Sequence, residues 1–324
     1  MVIVIKPGLL TSVMDLGRPG YQRYGVNHGG AADRFAARVA NTIVGNDEAA
    51  ALLEFAQLGP ELRFERDVLA AWCGGDFDAR VGGEKFPRDR AVRIAAGETV
   101  WFGPARAGLR GWLAIAGGID VPLVLGSRST YRRAGFGGFH GRRLQAGDAL
   151  SLGQASAWAQ ARLQKGKRAS AWTLRPDTLA KGASAGVVRA LRGPECDWFT
   201  ADAQEEFFAA TWHLTKDADR MGIRLDGPTL TRREKRDMIS EAVPEGGVQV
   251  TPSGPIALLA SRQTVGGYPR IACVATVDFG RLAQLAPGAT VRFEEISLAE
   301  AHALLLERER NLMRARMALA RLVE

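Results

Sequence analysis

Cysteine and histidine are scarce in this chain of 324 residues, and their positions argue against two classes of stabilised domain. The three cysteines, Cys73, Cys196 and Cys273, are widely spaced and form no C-x-x-C pair, while the four histidines are scattered. This pattern argues against a disulfide framework and against a zinc site, so we expect no metal site. Unpaired cysteines are typical of a reducing compartment, and we therefore predict a cytoplasmic protein.

Long apolar runs and familiar nucleotide motifs are also missing. No stretch reaches the ~18 consecutive apolar residues of a membrane span. The opening MVIVIKPGLLTSVMD lacks the regions of a signal peptide, so we expect no membrane partner. The sequence has no G-x-x-x-x-G-K-[ST] loop, no G-x-S-x-G and no H-E-x-x-H. An ATP site would therefore be of another kind or lie on a partner.

The net charge of +8 permits anionic partners. The basic residues are dispersed along the chain, and no nucleic-acid-binding motif accompanies them. We therefore expect no nucleic-acid partner.

What the chain does contain is a strong strand signal together with 38 glycines. Apolar residues alternate or run between Gly and Asp turns over residues 60–150, and the pattern resumes near residue 187. The segment AAGETVWF (95–102) resembles APGATVRF (286–293), and LQAGDALSL (144–152) is a looser copy. This recurrence predicts a mainly β fold with two related barrel-like domains, residues 1–160 and 187–296.

Helical spacing is confined to a few segments of the sequence. Apolar residues at this spacing predict helices over residues 32–46, 203–210 and 297–324. Ser297, with Glu300 three residues later, forms a capping-box pattern at the start of the last helix. Residues 161–186 show weak periodicity, and we interpret them as the connection between the two domains.

The first candidate for a binding site is a polar, glycine-rich segment at residues 11–33. Asp15, Arg18 and Asp33 lie in it and lead into the first predicted helix. A helix N-terminus favours anions, so these residues could hold a negatively charged substrate. Alternatively, Asp15 and Arg18 only pair with each other across a turn.

Two further candidates carry arginines. Ser127, Arg128 and Ser129 precede a glycine-rich run, and an arginine beside hydroxyl donors suits a carboxylate or a phosphate. The alternative is a solvated basic loop. Arg220 lies in a turn, DADRMGIRLDGP, that offers a second cation.

The fourth candidate runs from SEAVPEGGVQV into SRQTVGGYPRIA. Its polar side chains are those of Glu241, Gln249, Gln263, Thr264 and Tyr268. A buried carboxylate among amides can act as a general base, and Gly266 and Gly267 allow close approach of the backbone to a ligand. The alternative is an ordinary hairpin connection between two buried strands.

Taken in order, these segments resemble the biotin-dependent carboxyltransferase domain family over residues 3–296. The segments that carry the resemblance are TSVMDLGRPGYQRYGV, AIAGGIDVPLVLGSRST, DRMGIRLDGP and SEAVPEGGVQV with GPIALLASRQTVGGYPRIACVATVD. The family includes a component of bacterial 5-oxoprolinase and the carboxyltransferase region of urea carboxylase. The resemblance implies two cyclophilin-like β-barrel domains, a few short helices and a C-terminal helix.

The resemblance also implies an activity. It implies the C subunit of an enzyme that works with its A and B subunits in the ATP-dependent opening of 5-oxoproline to glutamate. One alternative is a biotin-dependent carboxyltransferase acting on urea or a related amide, and another is a regulatory binding protein without catalysis. The chain has no Met-Lys-Met for biotin attachment, which favours the 5-oxoprolinase interpretation over the carboxyltransferase.

Within this resemblance, QTVGGYP matches a Gln-Thr-x-Gly-Gly-Tyr-Pro motif of the family. The match implies that Gln263, Thr264, Gly266, Gly267 and Tyr268 line a site. Glu241 would then act as acid or base, Gln249 would help to orient the substrate, and Arg128 and Arg220 would hold an anionic group. Ser261 and Ala242 depart from the family pattern, since many members have Asp at position 261, and a shifted substrate is one consequence.

Overall fold

The computed structural model describes residues 1–234 and 236–322, and these form two compact units. Unit 1 comprises Met1–Arg18, Gly29–Leu179 and the residues from Arg310 onward. Unit 2 comprises Pro19–His28 and Ala180–Glu309. Strands dominate both units, which confirms the predicted mainly β fold with barrel domains and few helices.

Unit 1 contains a single sheet of ten strands. They are β1 (Val2–Lys6), β2 (Ser12–Met14), β3 (Leu52–Ala56), β4 (Glu61–Phe64), β5 (Val68–Val81), β6 (Glu84–Lys85), β7 (Val92–Ile94), β8 (Thr99–Ile115), β9 (Ile119–Asp120) and β10 (Ala149–Leu152). The strand order is β2-β3-β8-β4-β1-β10-β9, and β5 pairs with β6, β7 and β8. The long antiparallel pair of β5 and β8 therefore forms the frame from which the loops of unit 1 extend.

Aromatic side chains fill the core of unit 1. The ring of Phe102 lies 4.5 Å from that of Phe55 and 5.4 Å from that of Trp72. The indole Nε1 of Trp72 donates to the carbonyl of Phe86 at 3.1 Å, which satisfies its one polar atom in the core. The buried indole N–H therefore needs no water molecule as a hydrogen-bond partner.

Three helices accompany this sheet. They are α1 (Arg34–Ile43), α2 (Ala157–Gln164) and α3 (Pro176–Leu179). The carboxylate of Asp33 accepts a hydrogen bond from the backbone N–H of Ala36 at 2.9 Å, so α1 begins directly after this N-cap.

Unit 2 is a closed barrel with a small separate sheet. Its strands are β11 (Val187–Arg192), β12 (Thr211–Ala218), β13 (Gly222–Asp226), β14 (Glu241–Ala242), β15 (Gly247–Thr251), β16 (Gly254–Leu258), β17 (Val265–Gly266), β18 (Arg270–Val274) and β19 (Thr290–Glu295). The barrel order is β11-β18-β15-β16-β13-β12-β19, and the parallel pair of β11 and β19 closes it. Strands β14 and β17 pair only with each other among the described residues.

Two helices of unit 2, α4 (Ala201–Ala209) and α5 (Phe279–Ala283), adjoin the barrel. Phe207 of α4 stacks on Phe293 of β19, with ring centroids 4.8 Å apart. Its carbonyl accepts from the indole Nε1 of Trp212 at 3.0 Å. Aromatic packing and a satisfied indole therefore characterise this core as well.

The hairpin interpretation of the segment between β16 and β18 is wrong. These strands do not pair with each other, because β15 lies between them and pairs with both. The connecting residues instead pass over β15 to reach β18. They include β17, which pairs with β14. The segment therefore does more than reverse the direction of the chain.

The three similar segments at residues 95–102, 144–152 and 286–293 have one physical role. Gly97, Gly147 and Gly288 have φ angles of 84°, 88° and 82°, and each lies two residues before a strand. A left-handed φ favours glycine, since other residues meet a steric penalty there. The repeats therefore mark equivalent turns into β8, β10 and β19.

The last helix, α6 (Leu298–Arg321), begins with the predicted capping box. The Ser297 hydroxyl accepts from the N–H of Glu300 at 3.2 Å, and the Glu300 carboxylate accepts from the N–H of Ser297 at 2.8 Å. Near its other end, the carbonyl of Leu319 accepts from the indole Nε1 of Trp158 at 2.9 Å.

Candidate functional site

The predicted site residues fall into two groups, one in each unit. Unit 1 holds the Asp15 cluster, which we define as Asp15, Arg18, Ser127, Arg128 and Ser129. Unit 2 holds the Gln249 cluster, which we define as Glu241, Gln249, Gln263, Tyr268 and the additional residue Arg270.

The Asp15 cluster is organised around one buried carboxylate. Oδ1 of Asp15 accepts from the N–H of Gly17 at 2.8 Å and from the hydroxyls of Ser127 and Ser129 at 2.7 and 2.5 Å. Oδ2 accepts from the N–H of Arg128 at 2.5 Å. Because the protein itself supplies donors to both oxygens, Asp15 holds the loop of residues 127–129 in place, and we assign it no direct role toward a substrate.

Arg18 differs from its neighbours, because its bonding capacity is only partly used. Its side chain is fully buried, and Nη2 donates to the carbonyl of Ser129 at 2.5 Å. The guanidinium carbon lies 5.2 Å from the ring centroid of Phe136. Within the described part of the chain, Nε and Nη1 have no hydrogen-bond partner. Burial lowers the pKa of Arg18, against the opposing influence of Asp15, so an anion bonded to these nitrogens would relieve an unfavourable desolvation.

The other predicted residues of unit 1 have structural partners. Asp33 caps α1 through Ala36, as described above. The Arg128 side chain donates through Nε to the carbonyl of Val121 at 2.9 Å and lies 3.6 Å from the carboxylate of Asp120. Arg128 is therefore fixed mainly by its own loop.

The Gln249 cluster contains a pair of side-chain amides. Gln249 lies on β15 with 2% exposure, and its Oε1 accepts from Nε2 of Gln263 at 3.0 Å. Nε2 of Gln249 donates to the carbonyl of Tyr268 at 3.2 Å. The two amides are thereby oriented, and the partly exposed Gln263 retains its carbonyl oxygen as an acceptor.

Gly266 keeps this amide pair close to the backbone. A Cβ at this position would lie 2.6 Å from Nε2 of Gln249, which is closer than real Cβ contacts. Gly267 is also tight, since a Cβ there would lie 3.1 Å from the hydroxyl of Ser240. A side chain at Gly266 would displace the amide of Gln249.

Glu241 lies beside a charged pair that sequence reasoning missed. Arg270 on β18 donates from Nε and Nη2 to Glu195 at 2.8 and 2.5 Å, and Nη2 also bonds to Glu241. The side chain of Glu195 is 11% exposed and that of Glu241 is 51% exposed. Glu195 is therefore the structural partner of Arg270, and Glu241 is the carboxylate that a ligand can reach.

The pKa shifts agree with this division. Burial alone would raise the pKa of Glu195, but hydrogen bonds from the side chain and the backbone of Arg270 outweigh it and leave the pKa below its usual range. The pKa of Arg270 is raised, chiefly by its hydrogen bond to Glu195. Both groups are charged at neutral pH, so a fixed positive charge lies next to Glu241. The proximity of Arg270 to the Tyr-Pro pair in the sequence was the only available signal for it.

Arg220 and Thr264 lie near Ser261, the position at which many family members have Asp. Arg220 donates from Nε to the Ser261 hydroxyl at 3.4 Å, and its carbonyl accepts from the N–H of Ser261 at 2.9 Å. Nδ2 of Asn27 donates to the carbonyl of Ser261 at 3.0 Å, whereas Oδ1 of this buried side chain has no hydrogen-bond partner among the described residues. Thr264 accepts through its carbonyl from the N–H of Val243 at 3.3 Å. A cation and an amide thus flank position 261.

Over residues 1–234 and 236–322, no group of three or more metal-ligating side chains occurs. In the same residues, no helix has both the length and the apolar character needed to cross a membrane. Of the predicted site residues, Gly267 and Tyr268 border a cavity in the described part of unit 2.

Comparisons with known proteins extend these observations. The family model of the carboxyltransferase domain, subdomain A and B, matches residues 24–295. The C subunit of the 5-oxoprolinase of Escherichia coli (strain K12) is 38% identical over 302 residues, which are 93% of this chain and 93% of that protein. The C subunit of the Haemophilus influenzae 5-oxoprolinase is 35% identical over 311 residues, which are 95% of this chain and 96% of that protein.

A solved structure is similar over nearly the whole chain. The crystal structure of the K. lactis urea amidolyase superposes with a TM-score of 0.85 at 28% identity and covers 95% of this chain. This chain spans only 19% of the length of that protein. The similarity to urea amidolyase therefore concerns one region of a much longer protein.

Proposed function

Because the chain belongs to the carboxyltransferase domain family, subdomain A and B, we propose that it is the C subunit of an ATP-dependent 5-oxoprolinase-like complex. The complex would open 5-oxoproline to glutamate. The observation that carries this proposal is the end-to-end alignment with two proteins that are named as C subunits of 5-oxoprolinase, each matched over nearly its full length. The match to urea amidolyase covers a small part of that protein and supports the domain type more than the activity.

We propose that the A and B subunits complete the enzyme and that ATP binds to one of them. The naming of the relatives as C subunits supports a multi-subunit assembly, and this sequence has none of the familiar phosphate-binding loops. ATP would transfer its γ-phosphoryl group to the lactam carbonyl oxygen and leave as ADP. Water would then attack the activated carbon and the C–N bond would break, with a proton passing to the leaving nitrogen, so that an acyl phosphate remains. A second water would hydrolyse this acyl phosphate to the carboxylate of glutamate and inorganic phosphate. The unpaired cysteines support a cytoplasmic location for this assembly.

The Gln249 cluster has the groups that a lactam requires. An amide side chain offers a donor and an acceptor, which complement the carbonyl and the N–H of a cyclic amide. Gln263, which is held by Gln249, would provide these contacts, with Tyr268 beside it. Glu241 would act as general acid or base at the breaking C–N bond, because its half-exposed carboxylate is within reach of a ligand and its bond to Arg270 orients it.

The carboxylate of the substrate requires a cation. Arg220 is the candidate within unit 2, since its guanidinium donates to the hydroxyl of Ser261, two positions before Gln263. A guanidinium binds a carboxylate through two parallel hydrogen bonds, which would fix the orientation of the ring.

The test is ATP hydrolysis that depends on 5-oxoproline, measured with this chain co-purified with its partner proteins. We expect Gln263→Ala to reduce turnover by about tenfold or more, since the loss of about 1.4 kcal/mol of transition-state stabilisation lowers the rate by a factor of about ten. The matched control is Gln145→Ala, at an exposed position of unit 1. Full activity of Gln263→Ala would remove this residue from the site.

The alternative is a carboxyltransferase component for urea or a related amide, which the superposition on urea amidolyase favours. Biotin would then be carried by another chain. Turnover of urea with carboxybiotin, and none of 5-oxoproline, would establish this alternative. A stable complex that is silent with both substrates would support a regulatory binding protein without catalysis.

A further inference from the structure

Unit 2 contains a cavity beside the Gln249 cluster, with which it shares Tyr268. It has a volume of about 630 Å³ and lies at the end of the barrel, where β13 ends and β15 turns into β16. Residues 227–230, Arg232 and residues 236–238 form one wall, and Gly267 with Tyr268 forms another. Gln249, Gln263 and Glu241 do not line it. Its volume falls within the range of about 300–1,000 Å³ that is typical of small-molecule sites.

Hydrogen bonds attach the segment around Arg232 to the rest of unit 2. The N–H of Thr200 donates to the carbonyl of Thr231 at 3.0 Å, and Phe199 forms an antiparallel bridge with Arg232. Nε of Arg233 donates to the carbonyl of Phe199 at 2.9 Å. The backbone of Arg232 is therefore fixed, and a ligand would not have to order it.

The lining carries charges of both signs. Arg232 and Arg236 border the cavity, and so do Asp226 and Asp237. Among the described residues, none of these four side chains forms an ion pair. Arg232 donates from Nη1 only to the carbonyl of Arg236 at 3.3 Å, and the guanidinium of Arg236 lies 5.1 Å from the ring centroid of Trp198. Both cations therefore retain N–H groups for an acceptor.

This balance of charge restricts the ligand. The four formal charges sum to zero, so a polyanion such as a nucleoside triphosphate would meet two carboxylates as well as two cations. A ligand with separate positive and negative groups would find a partner for each of them. Leu225 and Val250, which are buried, give the cavity an apolar floor against which the carbon chain of such a ligand can pack.

We propose that this cavity binds a small zwitterion, a free amino acid or a short peptide, with its carboxylate at Arg232 and Arg236 and its ammonium group at Asp226 or Asp237. The inference is independent of the proposed function, since unit 2 supplies every lining residue and no turnover is involved. Tyr268 connects the cavity to the Gln249 cluster, because it lines the cavity and its carbonyl accepts from Gln249.

Isothermal titration of the full chain, without partner proteins, tests the proposal with three probes. L-Glutamate carries both kinds of charge, glutarate lacks only the ammonium group, and the dipeptide Ala-Glu separates the two charges further. We expect glutamate or Ala-Glu to bind at least about tenfold more tightly than glutarate, since a charged hydrogen bond is lost with the ammonium group. Whichever of the two binds more tightly distinguishes a free amino acid from a peptide.

Variants then test the assigned residues. We expect Arg232→Gln to weaken the binding of the better probe by about tenfold or more. We expect one of the two variants Asp226→Asn and Asp237→Asn to bring the affinity of that probe close to that of glutarate. The matched control is Arg292→Gln, which removes the same charge from an exposed position on β19 outside the cavity. It should leave binding unchanged. Thermal unfolding of each variant establishes that it is folded. Equal binding of glutarate and glutamate, or binding of no probe, would overturn the proposal, as would an Arg232→Gln variant that is folded and binds normally.

Discussion

Two carboxylates bond to the guanidinium of Arg270, and we predict that their removal has very different effects on stability. Glu195 lies in the interior with a side chain that is 11% exposed, whereas that of Glu241 is 51% exposed. The two substitutions are Glu195→Gln and Glu241→Gln, which keep the shape of the side chain and remove its charge. They serve as matched controls for each other, because both act on the same cation.

The magnitudes follow from the burial. The side chain of Arg270 is 8% exposed. Without Glu195, its buried charge keeps only the solvent-exposed Glu241 as a partner. Removing one member of a buried ion pair costs about 3–5 kcal/mol of unfolding free energy. An exposed pair contributes about 0–1 kcal/mol, so we expect Glu241→Gln to lower the unfolding free energy by less than about 1 kcal/mol.

Urea denaturation at neutral pH measures both differences, and amide hydrogen exchange of β18 assigns them to unit 2. We expect faster exchange in β18 for Glu195→Gln and wild-type exchange for Glu241→Gln. A loss of several kcal/mol in Glu241→Gln would refute the distinction, because it would make Glu241 a structural residue. The same result would remove it as a candidate acid or base.

The pH dependence of the Glu195→Gln effect has a definite sign. The folded-state pKa of Glu195 lies below its usual value, so its contribution to stability is fully present above about pH 4.3, the ordinary pKa of a glutamate, and is lost as the pH falls through the lowered folded value. We therefore expect the difference in unfolding free energy between wild type and Glu195→Gln to shrink below about pH 4. A difference that stays constant into acid would contradict the assignment.

Three other substitutions test separate parts of the structure. Asp15→Asn should cost about 1–3 kcal/mol for each N–H it leaves unsatisfied, seen as faster hydrogen exchange in residues 127–130 of unit 1; unchanged exchange would contradict its role. Gly266→Ala should reduce the activity of the complex by displacing Gln249 while the melting temperature stays near that of wild type, and an active variant would refute this. Trp158→Phe removes the donor to Leu319, and we expect a loss of about 1 kcal/mol with faster exchange at the end of α6.

Local features of this protein are determined by the sequence itself. The glycines at positions 97, 147 and 288 mark the turns into strands because only glycine adopts a left-handed φ without penalty. The capping box at Ser297 forms because its donors and acceptors lie within one helical turn. The family can likewise be identified from the order of its motifs along the sequence, because this order does not depend on the tertiary contacts of the chain.

Only the tertiary structure determined which candidate residues have polar groups that are not already bonded within the protein. Asp15 resembles a substrate-binding carboxylate in the sequence, but hydroxyl groups more than a hundred positions away occupy it. Glu195 is 75 positions from Arg270, and no local pattern joins them. The pairing of β15 with both β16 and β18 likewise could not be predicted from the sequence, because strand order depends on how the barrel closes. Spacing along the chain determines hydrogen bonds within a turn, whereas a buried charge takes its partner from whichever segment the folded core brings within about 3 Å, a distance typical of such bonds.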